Sequence, residues 1–254
     1  MTTIGDILRP LLEPVRKNGV LTVEAALRKG RISTRAVNGR SVRWLITNRN
    51  DEIQSRQLEQ GYYELDELQQ LKGDLGSCPT VLDVGANIGN HAVFFCQHMG
   101  CRKLTLVEPY WPALSHLLVN LALNDLEGVE GGFLPFALGA TSSKAAIVPP
   151  TRFNIGLTRL DLDRAGDIRV VKGDEVMSGE PLDLIKIDVE GMELAVLAGL
   201  SEVLTRDRPA IYVEVDRLHR AAFLQLLKKF RYRVVRESSA YGSQSNFTAV
   251  ASEG

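Results

Sequence analysis

The stretch Val81-Leu82-Asp83-Val84-Gly85-Ala86-Asn87-Ile88-Gly89-Asn90 constrains this chain more than any other. An apolar strand ends in an acid, and a glycine-containing turn then opens a helix. This is the first strand–turn–helix unit of an open α/β sheet, and such sheets bind ligands outside the carboxyl ends of their strands. Gly85 and Gly89 lack a Cβ, so the backbone is expected to pass close to a bound molecule there. Downstream, apolar strands at 103–107, 133–138, 182–188 and 210–215 alternate with helical spacing at 88–98, 111–123, 191–204 and 218–230. Such alternation predicts a parallel, doubly wound sheet. Two closing strands, 232–236 and 247–250, are joined by about ten mostly polar or small residues. A hairpin there makes the last strand antiparallel to its neighbours. The expected fold class is therefore α/β: a Rossmann-like, seven-stranded, mostly parallel sheet with an antiparallel last strand.

A length of 254 residues suits one such domain with an N-terminal extension. Residues 1–77 read as a small helical and hairpin cap, and residues 78–254 as the ligand-binding domain. Helical stretches at 4–15 and 23–29 precede two strands, 32–37 and 41–46, that flank Asn38-Gly39. That dipeptide signals a type I′ hairpin, whose two central residues both need positive φ. Helices are expected at 51–59 and 63–71. The connection 139–181 is too long to be an idle loop. It is expected to be ordered, with a strand at 168–171, and to shape a binding pocket.

Composition excludes several classes. A net charge of −1 offers no general attraction to nucleic acid or anionic membrane. The three cysteines, Cys78, Cys96 and Cys101, suggest neither a disulfide framework nor, with four scattered histidines, a zinc site. Cys96 and His98 read as packing residues. Asp6, Arg9, Pro10, Glu13 and Pro14 break any signal-like run, and no segment has the ~18 apolar residues of a membrane helix. A cytoplasmic location is the default expectation. No metal and no membrane or nucleic-acid partner are expected.

The glycine turn lacks the middle glycine of a dinucleotide fingerprint, and Asp83 would repel a pyrophosphate. The same carboxylate suits the ammonium of a methionine moiety, which favours S-adenosyl-L-methionine as cofactor. Glu108 lies 19 residues after Gly89, at the end of the second core strand, where a carboxylate accepts ribose hydroxyls. Pro109 and Tyr110 are expected on one adenine face, and Ala137 and Leu138 on the other. Ala86 and Asn87 complete the turn.

A second cluster is Leu184-Ile185-Lys186-Ile187-Asp188-Val189-Glu190-Gly191-Met192-Glu193. Strand alternation places Lys186 and Asp188 on one face. A lysine inside a central parallel strand needs a partner. Glu214, on the next strand, is the attractive candidate, with Asp83 the alternative. Asp188 at the strand end is expected to be the base of a transfer step, and Asp188 also counts among the cofactor contacts. Glu190 is its rival, weakened by a helix N-terminus that favours its ionised form. Lys186, Glu190 and Glu214 complete the expected catalytic set. Glu193 reads as a helix-dipole residue. A divalent ion held by Asp188 is a further possibility. Between Arg217 and Arg236 there are seven Lys/Arg and no acids, a run better read as a solvated helix face and guarded edge strand than as an RNA surface.

Taken together, Asp83–Asn90, Glu108-Pro109 and Ile185–Glu193 resemble the FkbM family of methyltransferases. The resemblance continues in Gly61-Tyr62-Tyr63-Glu64, Asn154-Ile155-Gly156 and 209–214, and covers roughly residues 40–220. It implies a class I methyltransferase fold and transfer from S-adenosylmethionine, usually to a hydroxyl oxygen of a sugar or natural product. The implied partner is a small-molecule or saccharide acceptor. The competing class is a non-catalytic or nucleic-acid-associated binding protein on the same fold. The acids retained at 188, 190 and 214 favour catalysis.

Overall fold

A computed structural model of the chain describes residues 27–126, 130–149, 154–177, 179, 181–239 and 243–252. The helix expected at 4–15 and most of that at 23–29 lie outside the described residues. Strands β1 (Arg31–Val37) and β2 (Arg40–Ile46) form the hairpin. Its turn residues Asn38 and Gly39 have φ of 49° and 76°, as the dipeptide implies. Helix α1 (Glu52–Gln60) is capped by Asp51, whose side chain accepts from Gln54 N, and α2 (Leu65–Leu75) follows.

The core then runs β3 (Thr80–Val84), α3 (Asn90–His98), β4 (Lys103–Val107), α4 (Trp111–Leu123), β5 (Glu130–Leu134) and β6 (Ala137–Gly139). Next come β7 (Ser143–Val148), β8 (Arg159–Asp161), β9 (Ile168–Lys172), α5 (Gly173–Val176) and β10 (Leu184–Ile187). The chain closes with α6 (Glu193–Gly199), α7 (Ser201–Arg206), β11 (Ala210–Asp216), α8 (Arg220–Lys229), β12 (Tyr232–Ser238) and β13 (Gln244–Ala251).

Seven strands make one sheet in the order β12-β13-β11-β10-β3-β4-β5. Strands β11, β10, β3, β4 and β5 are mutually parallel, while β13 runs antiparallel to both β11 and β12. A second sheet, ordered β6-β9-β7-β8, is built from the long connection and includes the strand expected at 168–171.

Several boundaries depart from expectation, among them the end of α2 at Leu75 and the start of β13 at Gln244, and three have a visible cause. The strand expected over 133–138 is two strands in different sheets: β5 ends at Leu134 and β6 pairs with β9. Pro135 between them has no N–H to continue a ladder. The helix expected from Ile88 starts at Asn90, because Gly89 adopts a left-handed φ of 90° as its N-cap. The helix expected over 191–204 begins at Glu193 and breaks at Leu200. Gly191 has a φ of 108°, and a Cβ on Gly199 would lie 2.0 Å from the Gly139 carbonyl.

The sheet is covered on both faces. Leu82, Val84, Ile185, Ile187 and Val213 pack under α6, α7 and α8. Val81, Leu104 and Leu106 pack under α3 and α4 in one cluster with Trp44, Leu45 and Tyr62 of the N-terminal segment. The hairpin is pinned to α4 by amides: Asn120 Oδ1 accepts from Leu45 N at 2.8 Å, and Asn124 bonds both N and O of Arg43. Two cations of the basic stretch are paired at the edge, Arg220 with Glu237 and Arg236 with Asp74, while Phe223 and Tyr232 are buried. All three cysteines are free. Among the described residues no helix is long and apolar enough to cross a membrane.

Candidate active site

The carboxyl ends of β3, β4, β10 and β11 meet beneath the strap 154–157 and the start of α1. Two cavities open there. The first is a cleft lined by Val84, Val107, Glu108, Pro109, Ala137 and Leu138. The second is a polar basin lined by Glu64, His91, Lys186, Asp188, Glu190 and Glu214, with Ala86 on its wall. Gly85, Asn87, Gly156 and Asp188 line both, so the cavities meet at these four residues.

In the cleft, Glu108 is 7% exposed. Its Oε2 accepts from Asn87 N at 2.9 Å and its Oε1 from Tyr110 N at 2.7 Å. Burial pushes its carboxyl up to about 7, against the pull of those two amides. A carboxylate fixed by its neighbours' backbone, between the apolar walls Pro109 and Leu138, suits a ribose with a base beside it. The donor set therefore fits an adenosyl group. Tyr110 departs from its expected role. It is not among the residues lining the cleft but packs beside Ile53, Ile88 and Ala113.

The glycines also serve a purpose beyond the one expected. A Cβ on Gly85 would stand 1.8 Å from the Asp188 carbonyl oxygen, and one on Gly89 would stand 2.7 Å from Leu117 Cδ1. Both make room for protein, at φ of 78° and 90°; Gly85 also lines both cavities, while Gly89 lines neither.

Asp83 requires a correction as well. It is fully buried and lines neither cavity, so it is not placed to meet a ligand ammonium directly. Its Oδ1 lies 3.1 Å from Lys186 Nζ, which also donates to Gly85 O at 2.6 Å and stands 3.8 Å from Asp188 Oδ2. Of the two partners expected for Lys186, Asp83 is therefore the one it pairs with, and Glu214 makes no ion pair with it. Lys186 sits level with Asp83 on β3 and with Tyr212 on β11, and Glu214 lies two residues further along. Burial works against the Lys186 charge, but Asp83 and Asp188 outweigh it and hold the ammonium above its ordinary range.

Asp188 has a side-chain exposure of 38% and faces the junction of the two cavities. One ligating oxygen each from Asp188, Glu190 and Glu214 lies within 4.8 Å of the others, close enough to share a cation or a polar group. Burial, with Asp188 beside it, pushes Glu190 up to about 7 and Glu214 up to about 9. The expectation that a helix N-terminus keeps Glu190 ionised is therefore overturned. Glu190 has a φ of 52° and precedes the helix, its carboxylate near Arg159 and Gln244. Glu193, at the helix start, accepts from Gly191 N at 2.6 Å, and burial pushes its carboxyl up as well.

Two basin residues were not singled out by sequence. Glu64 and His91, from α2 and α3, face each other at 3.6 Å. Glu64 stands in the Gly61–Glu64 motif, which was the one available signal. The strap is fastened to the N-terminal segment: Ile155 N donates to Asp51 Oδ2 at 2.8 Å and Asn154 Nδ2 to Glu52 at 3.4 Å.

Comparison with known proteins places this geometry in a family. The hexuronic acid methyltransferase AglP of Haloferax volcanii is 31% identical over 128 residues, covering 48% of this chain and 50% of that protein. The methyltransferase sdnD of Sordaria araneosa is 28% identical over 163 residues, covering 51% and 63%. The chain thus spans about half to two thirds of the length of these relatives. The crystal structure of an FkbM methyltransferase from Methylobacillus flagellatus superposes with a TM-score of 0.47 at 17% identity, over 66% of this chain and 43% of that one. A family match described as Methyltransferase FkbM domain runs from residue 83, beneath the glycine turn, to residue 234 on β12. It takes in more than half of the sequence and both strand ends that build the cleft, and the chain belongs to that family.

Proposed function

We propose that the protein transfers a methyl group from S-adenosyl-L-methionine to a hydroxyl oxygen of a sugar or natural product. The observation that carries this reading is Asp188 at the junction of the Glu108 cleft and a polar basin. The bound cofactor supplies an electrophilic methyl carbon on a sulfonium. Glu108 would hold the ribose, and Pro109, Ala137 and Leu138 would enclose the base. Lys186 fixes the glycine turn through Gly85 O and steadies Asp188. In this arrangement Asp188 accepts the proton of the attacking hydroxyl, and the basin wall aligns that oxygen for direct displacement. The cleft belongs to residues 78–254, and the extension ending at residue 77 contributes Glu64 and Ile53 to the basin. The hexuronic acid named for the Haloferax relative supports a saccharide acceptor.

Isothermal calorimetry with S-adenosylmethionine, S-adenosylhomocysteine and NAD tests the reading. Binding of the first two and not the third is expected. Selective binding of NAD would reverse it.

A further inference from the structure

Glu64 shares a left-handed backbone with Glu190 among the carboxylates of the basin. It sits at φ 56°, ψ 35°, a left-handed conformation uncommon outside glycine, and such outliers persist where surrounding structure holds them. It stands at the N-cap of α2 yet makes no capping hydrogen bond. Its side chain, only 7% exposed, lines the basin instead. There Oε2 lies 3.6 Å from Nε2 of His91, a residue 7% exposed whose Nε2 has no hydrogen-bond partner.

Burial and then Glu67 push the Glu64 carboxyl up to about 8. Burial and then Lys186 hold His91 well below its ordinary range. At neutral pH the two therefore meet uncharged, and a carboxylic acid carries an O–H that donates. The rest of the wall is acidic, with Glu52, Asp188, Glu190 and Glu214. Its lysine is already shared between Asp83 and Gly85 O. Among the described residues, an anion entering this basin meets a wall of carboxylates, and the nearest exposed cation, Arg159, already faces Glu190 at 3.6 Å.

We propose that Glu64 is an acceptor-binding residue that donates a hydrogen bond from a neutral carboxyl group to an oxygen of an uncharged, polyhydroxylated acceptor, and that the basin rejects anionic sugars. This rests on the methyl-transfer reading and names its acceptor class. It also separates this chain from a methyltransferase of hexuronic acids.

The test uses methyl α-D-glucopyranoside and methyl α-D-glucuronide, which differ only at C6. S-adenosylhomocysteine formation is followed for the full-length wild type, Glu64→Ala and Glu64→Gln. Wild type should favour the glucoside by at least ~10-fold in kcat/KM, the worth of one well-made polar contact. Glu64→Ala should raise KM for the glucoside by ~10-fold with S-adenosylhomocysteine affinity unchanged by calorimetry. Glu64→Gln keeps an N–H donor and should stay near wild type, even if the alanine variant fails to fold. Wild-type kcat/KM should fall as pH rises through about 8, and the glutamine variant should lose that limb. Tyr63, which hydrogen-bonds the Glu64 carboxyl and opposes its upward shift, and Glu67, His91, Lys186, Asp188, Tyr212 and Glu214, which face it, are the same in both proteins.

Preference for the glucuronide, transfer to neither sugar, an alanine variant equal to wild type, or a glutamine variant as impaired as alanine would each overturn the proposal. If S-adenosylhomocysteine still binds in those cases, the donor reading survives. If it does not bind the wild type, the methyl-transfer reading itself fails.

Discussion

Replacing Lys186 with methionine removes the cation from a site where Asp83 is fully buried and Lys186 is 2% exposed. Methionine matches the stem of the lysine, so little packing is lost. What remains is a buried carboxylate whose nearest charge partner, at 3.1 Å, has gone, and a Gly85 carbonyl without its donor. Breaking a buried pair in this way costs about 3–5 kcal/mol. For a chain of this size each kcal/mol is worth roughly 2–4 °C of Tm, so a fall of about 6–20 °C is expected.

The sign with pH follows from the carboxyl left behind. An unpaired buried Asp83 binds its proton more tightly folded than unfolded, so the variant should lose stability as pH rises above ~4. Adding Asp83→Asn should return much of the loss and flatten that slope. Differential scanning calorimetry of Lys186→Met, the double variant, and Lys228→Met as an exposed control measures all three effects. Equal Tm for Lys186→Met and Lys228→Met would refute the buried pair. A double variant no more stable than the single one would refute Asp83 as the stranded partner.

The remaining predictions concern the cleft. Glu108→Ala should weaken S-adenosylmethionine and S-adenosylhomocysteine equally, by about 1–3 kcal/mol, the cost of ribose hydroxyls left unpaired; unchanged calorimetric affinities would remove Glu108 from the site. Because burial pushes the free Glu108 carboxyl up to about 7, cofactor affinity should decline as pH falls below that value, where the acceptor oxygens take up a proton. The same raised carboxyl stabilises the fold of the free protein fully at low pH and loses that contribution as pH rises through about 7, so Glu108→Gln should flatten the slope of Tm against pH. Asp188→Asn should keep cofactor affinity and lose at least ~100-fold in turnover; near-wild-type turnover would exclude Asp188 as the base, and loss of wild-type activity on adding a chelator would favour a cation between Asp188, Glu190 and Glu214.

Much of this arrangement was legible in the sequence because it is local. The glycine turn, Glu108 at the end of β4, and the alternation that puts Lys186 and Asp188 on one face all follow from short-range spacing. Pro135 carried the signal for the break between β5 and β6, but the apolar run on both sides concealed it. Alternation names a face and not a level on it. Glu214 therefore looked as good a partner for Lys186 as Asp83, until the register of β3 against β10 set Asp83 opposite. The purpose of Gly85 and Gly89 was hidden for the same reason, since the Asp188 carbonyl and Leu117 that crowd them lie far along the chain. Glu64 and His91 come from separate helices and are joined only by tertiary packing.

The strap and hairpin contacts bear on how such enzymes can be cut and recombined. The family match begins at residue 83, yet Trp44, Leu45 and Tyr62 share a hydrophobic cluster with the core, and Asp51 holds Ile155 across the site. A fragment trimmed to the family match would bare large aromatic and aliphatic side chains and lose part of the basin wall. Chimeras meant to test acceptor preference between relatives should therefore carry residues 37–75 with the graft, because this segment, which precedes the family match, lines the basin.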